Sequence, residues 1–184
     1  MEGTIEFPLF TKIRGGVLEL KGFFMDLTMI KALTKYIEQG FSMGKTPKDR
    51  LVQHLIVDGC NYQDAEFAAI LRAVSMQKQL KSISYSNSGF GNLSLDALEH
   101  ALAQCDDLDS ISLSDLTIQR SGTEYFILEQ LLRTLTELGS GIKKLKLCNL
   151  DLNNELIQRE LLKFLALDKG PVDLDLSFCK VQAS

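Results

Sequence analysis

The 184-residue chain has no apolar run near the roughly 20 residues that a membrane-spanning helix needs. Its start, Met1-Glu-Gly-Thr-Ile-Glu6, also lacks the basic stretch and apolar block of a secretory signal. The expectation is a cytoplasmic chain with no membrane partner. The four cysteines, Cys60, Cys105, Cys148 and Cys179, are far apart and form no C-x-x-C pair, so buried reduced thiols are expected rather than disulfides. The two histidines, His54 and His100, have no second His or Cys at ligand spacing, which argues against a metal site. Net charge is −4, and Lys143, Lys144 and Lys146 form the one basic cluster, which weighs against a nucleic-acid partner. No G-x-S-x-G elbow, phosphate-binding loop, G-x-G-x-x-G turn or H-E-x-x-H helix is present. No apolar pocket is evident that would retune the scattered carboxylates for acid–base work. No catalytic residue and no cofactor are expected.

What the chain does have is repetition. An eleven-residue template, apolar at its fourth, sixth and eleventh positions, fits from Gly15, Val52, Leu80, Leu108, Ile142 and Pro171. The positions so marked are Leu18, Leu20 and Met25; Leu55, Val57 and Tyr62; Ile83, Tyr85 and Phe90; Ile111, Leu113 and Ile118; Leu145, Leu147 and Leu152; Leu174, Leu176 and Val181. Every one is apolar, whereas a 45% apolar composition would make about eight of them so. The alternation within each copy predicts a short strand with one buried face.

Helical spacing follows in the same frame. Ile30, Leu33 and Ile37, then Phe67, Ile70 and Val74, then Leu95, Leu98 and Leu102 recur at offsets of three and four, which sets them on one stripe of a helix. Each unit is thus a strand, a turn and an amphipathic helix. Starts are separated by 37, 28, 28, 34 and 29 residues. Neither half can bury its apolar side alone, but copies stacked side by side make one continuous core.

The segments Leu108-Asp-Ser-Ile-Ser-Leu-Ser-Asp-Leu-Thr-Ile118 and Ile142-Lys-Lys-Leu-Lys-Leu-Cys-Asn-Leu-Asp-Leu152 resemble the leucine-rich repeat pattern L-x-x-L-x-L-x-x-N/C-x-L. A period near 28 with a helical second half is similar to the ribonuclease-inhibitor-like subclass of that family. The resemblance implies an α/β leucine-rich repeat solenoid, a right-handed β-α superhelix of about six strands. It would have a curved parallel sheet on the concave face and helices on the convex face. The ninth position, Asn or Cys in the family, here reads Phe23, Cys60, Ser88, Leu116, Leu150 and Cys179. Apolar packing would then partly replace the family's polar ladder, and a solenoid less regular than the consensus is expected.

Two parts are anticipated: an N-terminal cap over residues 1–14, carrying Ile5, Phe7, Leu9 and Phe10, and a repeat domain over residues 15–184 with an incomplete last unit. The surplus of the first unit, Gly40 to Arg50, reads as an exposed loop in which Phe41 and Met43 are either tucked inward or held out for a partner. The surplus of the fourth falls around residues 119–124, before a helix from Tyr125 to Leu138. The last strand is placed with no helix after it, which leaves an apolar end that solenoids normally cap. Either the sequence is a fragment of a longer repeat protein, or another chain or an unusual cap covers the final strand.

The third, fifth and seventh template positions should face away from the core. Their centre is a patch of six serines, Ser82, Ser84, Ser86, Ser110, Ser112 and Ser114, flanked by Lys144 and Lys146. Small hydroxyls leave the sheet low and open to a partner, though serine is also an ordinary solvated strand residue. Lys144 and Lys146 should stand beside Asp173 and Asp175, as structural pairs or as an anion site. Asp106, Asp107, Asp109 and Asp115 read as an acidic rim, solvated or attractive to a basic partner. The functional expectation is a non-catalytic module that binds another protein through the concave face or the longer loops. The alternative is an architectural subunit glued through its C-terminal end. A host-directed effector or an actin-binding repeat regulator is a third reading that no particular residue favours.

Overall fold

The computed structural model describes residues 13–22, 24–41, 51–118, 124–138, 141–168 and 170–180. Most of the expected cap, the Met43 loop, residues 119–123, Phe23 and Val181 lie outside the described residues, as does the side chain of Phe41. Strands β1 (Val17–Lys21), β2 (His54–Asp58), β3 (Ser82–Ser86), β5 (Ser110–Ser114), β7 (Lys144–Cys148) and β8 (Asp173–Asp175) form one sheet in that order. Every pair in it is parallel. Two-residue strands β4 (Gly89–Phe90) and β6 (Thr117–Ile118) pair beside it, also in parallel. Helices α1 (Leu27–Phe41), α2 (Asp64–Ser75), α3 (Asn92–Gln104), α4 (Glu124–Leu138) and α5 (Glu155–Leu165) complete the described elements. The architecture is α/β.

Registry follows the sequence template without a slip. Leu18 pairs with Leu55, Leu55 with Ile83, Ile83 with Ile111, Ile111 with Leu145, and Leu145 with Leu174. A one-residue shift would turn every apolar side chain to the opposite face, so burial on one side fixes the register. The fifteen marked positions of the first five units are all buried, and so are the helical stripes apart from half-buried Leu102. At the last unit, Leu174 and Leu176 are only half-buried. Because the strands are buried on one face and share one apolar cluster with the helices, the helices cover that face.

Backbone bonds between layers are equally regular. The carbonyl at the second template position accepts two N–H groups from the next unit: Gly16 from Gln53 and His54, Gln53 from Lys81 and Ser82, Lys81 from Asp109 and Ser110, Asp109 from Lys143 and Lys144, and Lys143 from Val172 and Asp173. At the far end of each strand the eighth residue takes φ between 52° and 61°, a left-handed value that turns the chain toward its helix. These residues are Gly22, Gly59, Asn87, Asp115, Asn149 and Phe178. Five of the six are types that tolerate this region, and Phe178 is not. In that geometry the N–H of Gly22, Gly59, Asn87, Asp115 and Asn149 donates to the seventh-position carbonyl of the next layer. The bonds that recur from layer to layer thus come from the eighth position and not from the ninth.

The tightest junction joins the second and third layers. Asp64, at the start of α2 and 7% exposed, accepts the N–H groups of Leu93 and Ser94 at 2.9 and 2.8 Å, so one layer caps the helix of the next. Gly91 makes room for it: a Cβ there would lie 2.7 Å from the Asp64 Oδ2 atom. Beneath, the Phe67 and Tyr85 rings stack with centroids 3.6 Å apart, and Tyr85 donates from its hydroxyl to the Gly89 carbonyl at 2.6 Å. Aromatic bulk and helix capping thus lock two layers together.

Candidate functional site

The face of the sheet opposite the helices carries the third, fifth and seventh positions, as the alternation requires. Ser82, Ser84 and Ser86 on β3 pair with Ser110, Ser112 and Ser114 on β5, so the six serines form two adjoining rows. All six are half-buried. Neighbouring strands lie about 4.8 Å apart, so the hydroxyl patch is two strands wide and lies low between longer side chains.

Those side chains differ on the two flanks. On β2, Asp58 accepts the Ser86 hydroxyl at 2.7 Å and the Asn87 amide at 2.9 Å. These bonds, the serine's first, hold its carboxyl below the ordinary range. His54 Nδ1 lies 2.8 Å from Ser82 Oγ. Among the described residues no carboxylate bonds to the His54 ring. On the other flank, Lys144 and Lys146 stand opposite Ser110 and Ser112 and are exposed.

β8 supplies the negative complement. Lys144 pairs in register with Asp173 and Lys146 with Asp175. Lys146 Nζ meets Asp175 Oδ2 at 3.3 Å, whereas Lys144 has no ion pair among the described residues. The hydroxyl and then the backbone N–H of Ser177, both donating to Asp175, lower its carboxyl to about 2. Ser110, Ser112, Lys144, Lys146, Asp173 and Asp175 rim a shallow depression of about 250 Å³. The sequence-derived serines and lysines are therefore brought together in part: the β5 and β7 residues share this depression, and the β3 serines extend the face beyond it. Among the acidic rim residues, Asp109 pairs with Lys143 at 3.1 Å and Asp115 accepts the Asn149 amide at 2.7 Å.

The cysteines are structural in their surroundings. Cys60 donates its thiol to the Leu20 carbonyl at 3.2 Å and Cys179 to the Leu147 carbonyl at 3.0 Å, each reaching the preceding strand from the ninth position. Cys60, Cys105 and Cys148 are buried as the thiol reading expects and Cys179 is half-buried; Cys148 is buried even though the alternation sets its seventh position on the open face, with its sulfur 3.9 Å from the Asp175 carbonyl of β8. Burial pushes the thiols of Cys105, Cys148 and Cys179 up, which suppresses the reactive thiolate. Two features escaped the sequence reading. One, the left-handed eighth position, had a signal in the recurring Gly, Asn and Asp. The other, the Asp64 cap, had none, because its partner lies in another layer.

No protein-family model and no curated protein sequence matches the chain. Among solved structures it is similar to the leiomodin-1 actin-binding site 2 domain, at 15% identity and a TM-score of 0.52, over 80% of this chain and 79% of that one. At that identity the likeness concerns the fold. Among the described residues, no helix is long and apolar enough to cross a membrane.

Proposed function

We propose that this chain is a non-catalytic protein-interaction module of the leucine-rich repeat solenoid type, working inside the cell. Its binding surface is the open sheet face built from the serine rows of β3 and β5 and from Lys144 and Lys146. The observation that carries the reading is the depression that Ser110 and Ser112 share with the exposed cations Lys144 and Lys146 and, beyond them, with Asp173 and Asp175. A low hydroxyl floor lets a partner's backbone approach closely, and Lys144, without an ion-pair partner among the described residues, is left to meet a carboxylate. Supporting this reading, the structurally similar leiomodin-1 domain is an actin-binding site, which makes actin the first ligand to test.

The test is a photo-crosslinking amino acid placed at Ser112, compared with one at Gln158 on α5, in cells and with purified actin. Crosslinks from position 112 that vanish with Ser84→Arg are the expected result. Equal crosslinking from both positions, or indifference to Ser84→Arg, rejects the open face as the site. An actin-negative result with other crosslinked proteins retained at position 112 keeps the face and rejects that ligand.

A further inference from the structure

The serine floor has a wall on each side, and the walls differ. The floor is two strands wide, over β3 and β5, and its side chains are short. β2 and β7 flank it with longer ones: Ile56 stands in register with Ser84, and Lys144 and Lys146 with Ser110 and Ser112. From β2 to β7 are three strand spacings, about 14 Å. The channel so formed runs along the strands. Each floor strand is five residues long, so the channel extends about 17 Å.

Those dimensions bear on the shape of an occupant. An α-helix with its side chains is about 10–12 Å across, and about three turns of it cover the length of the channel. An extended segment would fit the width as well. Its N–H and C=O groups, however, would find only serine hydroxyls, because β3 and β5 are each paired with a strand on both sides. A helix satisfies its own backbone, and with small residues underneath it can settle between the walls.

Charge assigns the two flanks. On the β2 wall, His54 Nδ1 lies 2.8 Å from Ser82 Oγ and Asp58 accepts the Ser86 hydroxyl, which leaves half-buried Ile56 between them as an apolar contact. On the β7 wall, exposed Lys144 has no ion pair among the described residues, and Lys146 shares an exposed pair with Asp175. Such exposed pairs hold their partners weakly. The two lysines are two residues apart on one strand, about 6.7 Å, and residues four apart on a helix rise about 6 Å. Two carboxylates at that helical spacing therefore face both ammonium groups. Asp173 and Asp175 lie one strand farther from the channel and oppose the acidic flank from a longer distance.

We propose that the open face holds an α-helix of a protein partner, lying along β3 and β5. Small residues rest on the serines, an apolar residue meets Ile56, and two carboxylates one turn apart meet Lys144 and Lys146. This inference rests on the open face being the binding surface and adds the kind of partner it takes. The serines set how closely the helix approaches, and the lysines set its charge and direction.

The probe is a synthetic helix of about four turns, held by a hydrocarbon staple on its outer side. It carries alanines underneath, a leucine on one flank and two glutamates one turn apart on the other. It is added to the isotopically labelled full chain and followed by amide NMR shifts. Shifts should centre on Ile56, Ser84, Ser112 and Lys146. Lys144→Gln and Lys146→Gln should each weaken binding roughly threefold. Asp173→Asn should strengthen it. A probe with lysines in place of the glutamates should prefer the double variant Lys144→Glu, Lys146→Glu to the unmodified chain, and Ser84→Arg should abolish binding of either probe. An unstapled counterpart with a central proline and the same flanking side chains should bind roughly tenfold more weakly. Equal binding of the proline probe with shifts still on the face overturns the helix while keeping the face. Absence of shifts on the face, or indifference to the sign of the flanking charges, also overturns the proposal, and crosslinking from position 112 reports separately whether the face itself fails.

Discussion

The second and third layers and the last described layer are written in one pattern and differ in what stands beside them. In the middle, Tyr85 is flanked by Val57 and Leu113, stacked on Phe67 and buried, while Asp64 caps the neighbouring α3. At β8, the equivalent apolar residues Leu174 and Leu176 stay half-buried, and Phe178 sits in a left-handed turn with its ring in water. Burial here is therefore a property of the adjacent layer more than of the residue. Stability should fall from the centre of the sheet toward β8.

The sharpest way to break this comparison is a pair of identical truncations at one template position. Leu113→Ala, at a site 1% exposed, should cost about 2–5 kcal/mol of unfolding free energy. Leu176→Ala should cost well under half as much, since its side chain has already lost part of its shell. Denaturant titration measures both, and equal losses would contradict the layer account.

The inter-layer cap gives the next largest effect. Gly91→Ala drives a methyl group into the Asp64 carboxylate, displacing it from two N–H groups, and should cost about 2 kcal/mol. Asp64→Ala should cost a similar amount, and the double variant little more than either alone, because both changes remove the same bonds. Full additivity in that cycle would show that Gly91 matters for another reason.

Phe178→Gly reverses the sign. Removing a bulky residue from a left-handed turn should stabilise the free chain by about 1 kcal/mol, less the extra freedom that glycine gives the unfolded state. The same change at the left-handed Asn87, which also bonds Asp58, should not stabilise. A drop in melting temperature on Phe178→Gly would mean that the ring makes contacts the turn strain does not outweigh.

The smallest effect is one of pH. The Asp175 carboxyl is lowered to about 2 in the folded chain, against about 4 when unfolded. A group depressed in this way contributes stability that is complete above about pH 4 and is lost as pH falls toward 2. Asp58 is displaced in the same direction. Asp175→Asn should flatten the acid limb of the stability curve without moving the plateau shape above pH 5 (roughly). An unchanged acid limb would separate Asp175 from the acid sensitivity of the edge.

Most of the layer structure was legible in the residues. The alternation at Leu18 and Leu20, repeated through Leu145 and Leu147, gave strands, faces and a common register, because a period of two leaves one way to keep a face dry. The Lys144–Asp173 and Lys146–Asp175 adjacency followed from the same frame. Other features depend on distances that no single layer encodes. Asp64 reads as an ordinary acid at a helix start until α3 is set beside it. Cys148 reads as open-face by alternation, yet the edge of β8 covers it. The serine rows were legible as a surface, while the depression they share with the lysines emerges only once β7 and β8 are placed.

Native-state amide hydrogen exchange tests the central claim, that each layer is kept dry by the one beside it. The account predicts a gradient: amides of β3 and β5 exchange only on global unfolding, those of β7 faster, and those of β8 fastest, through local opening of the edge. Uniform protection across the six strands, or protection at β8 equal to that at β3, would contradict it.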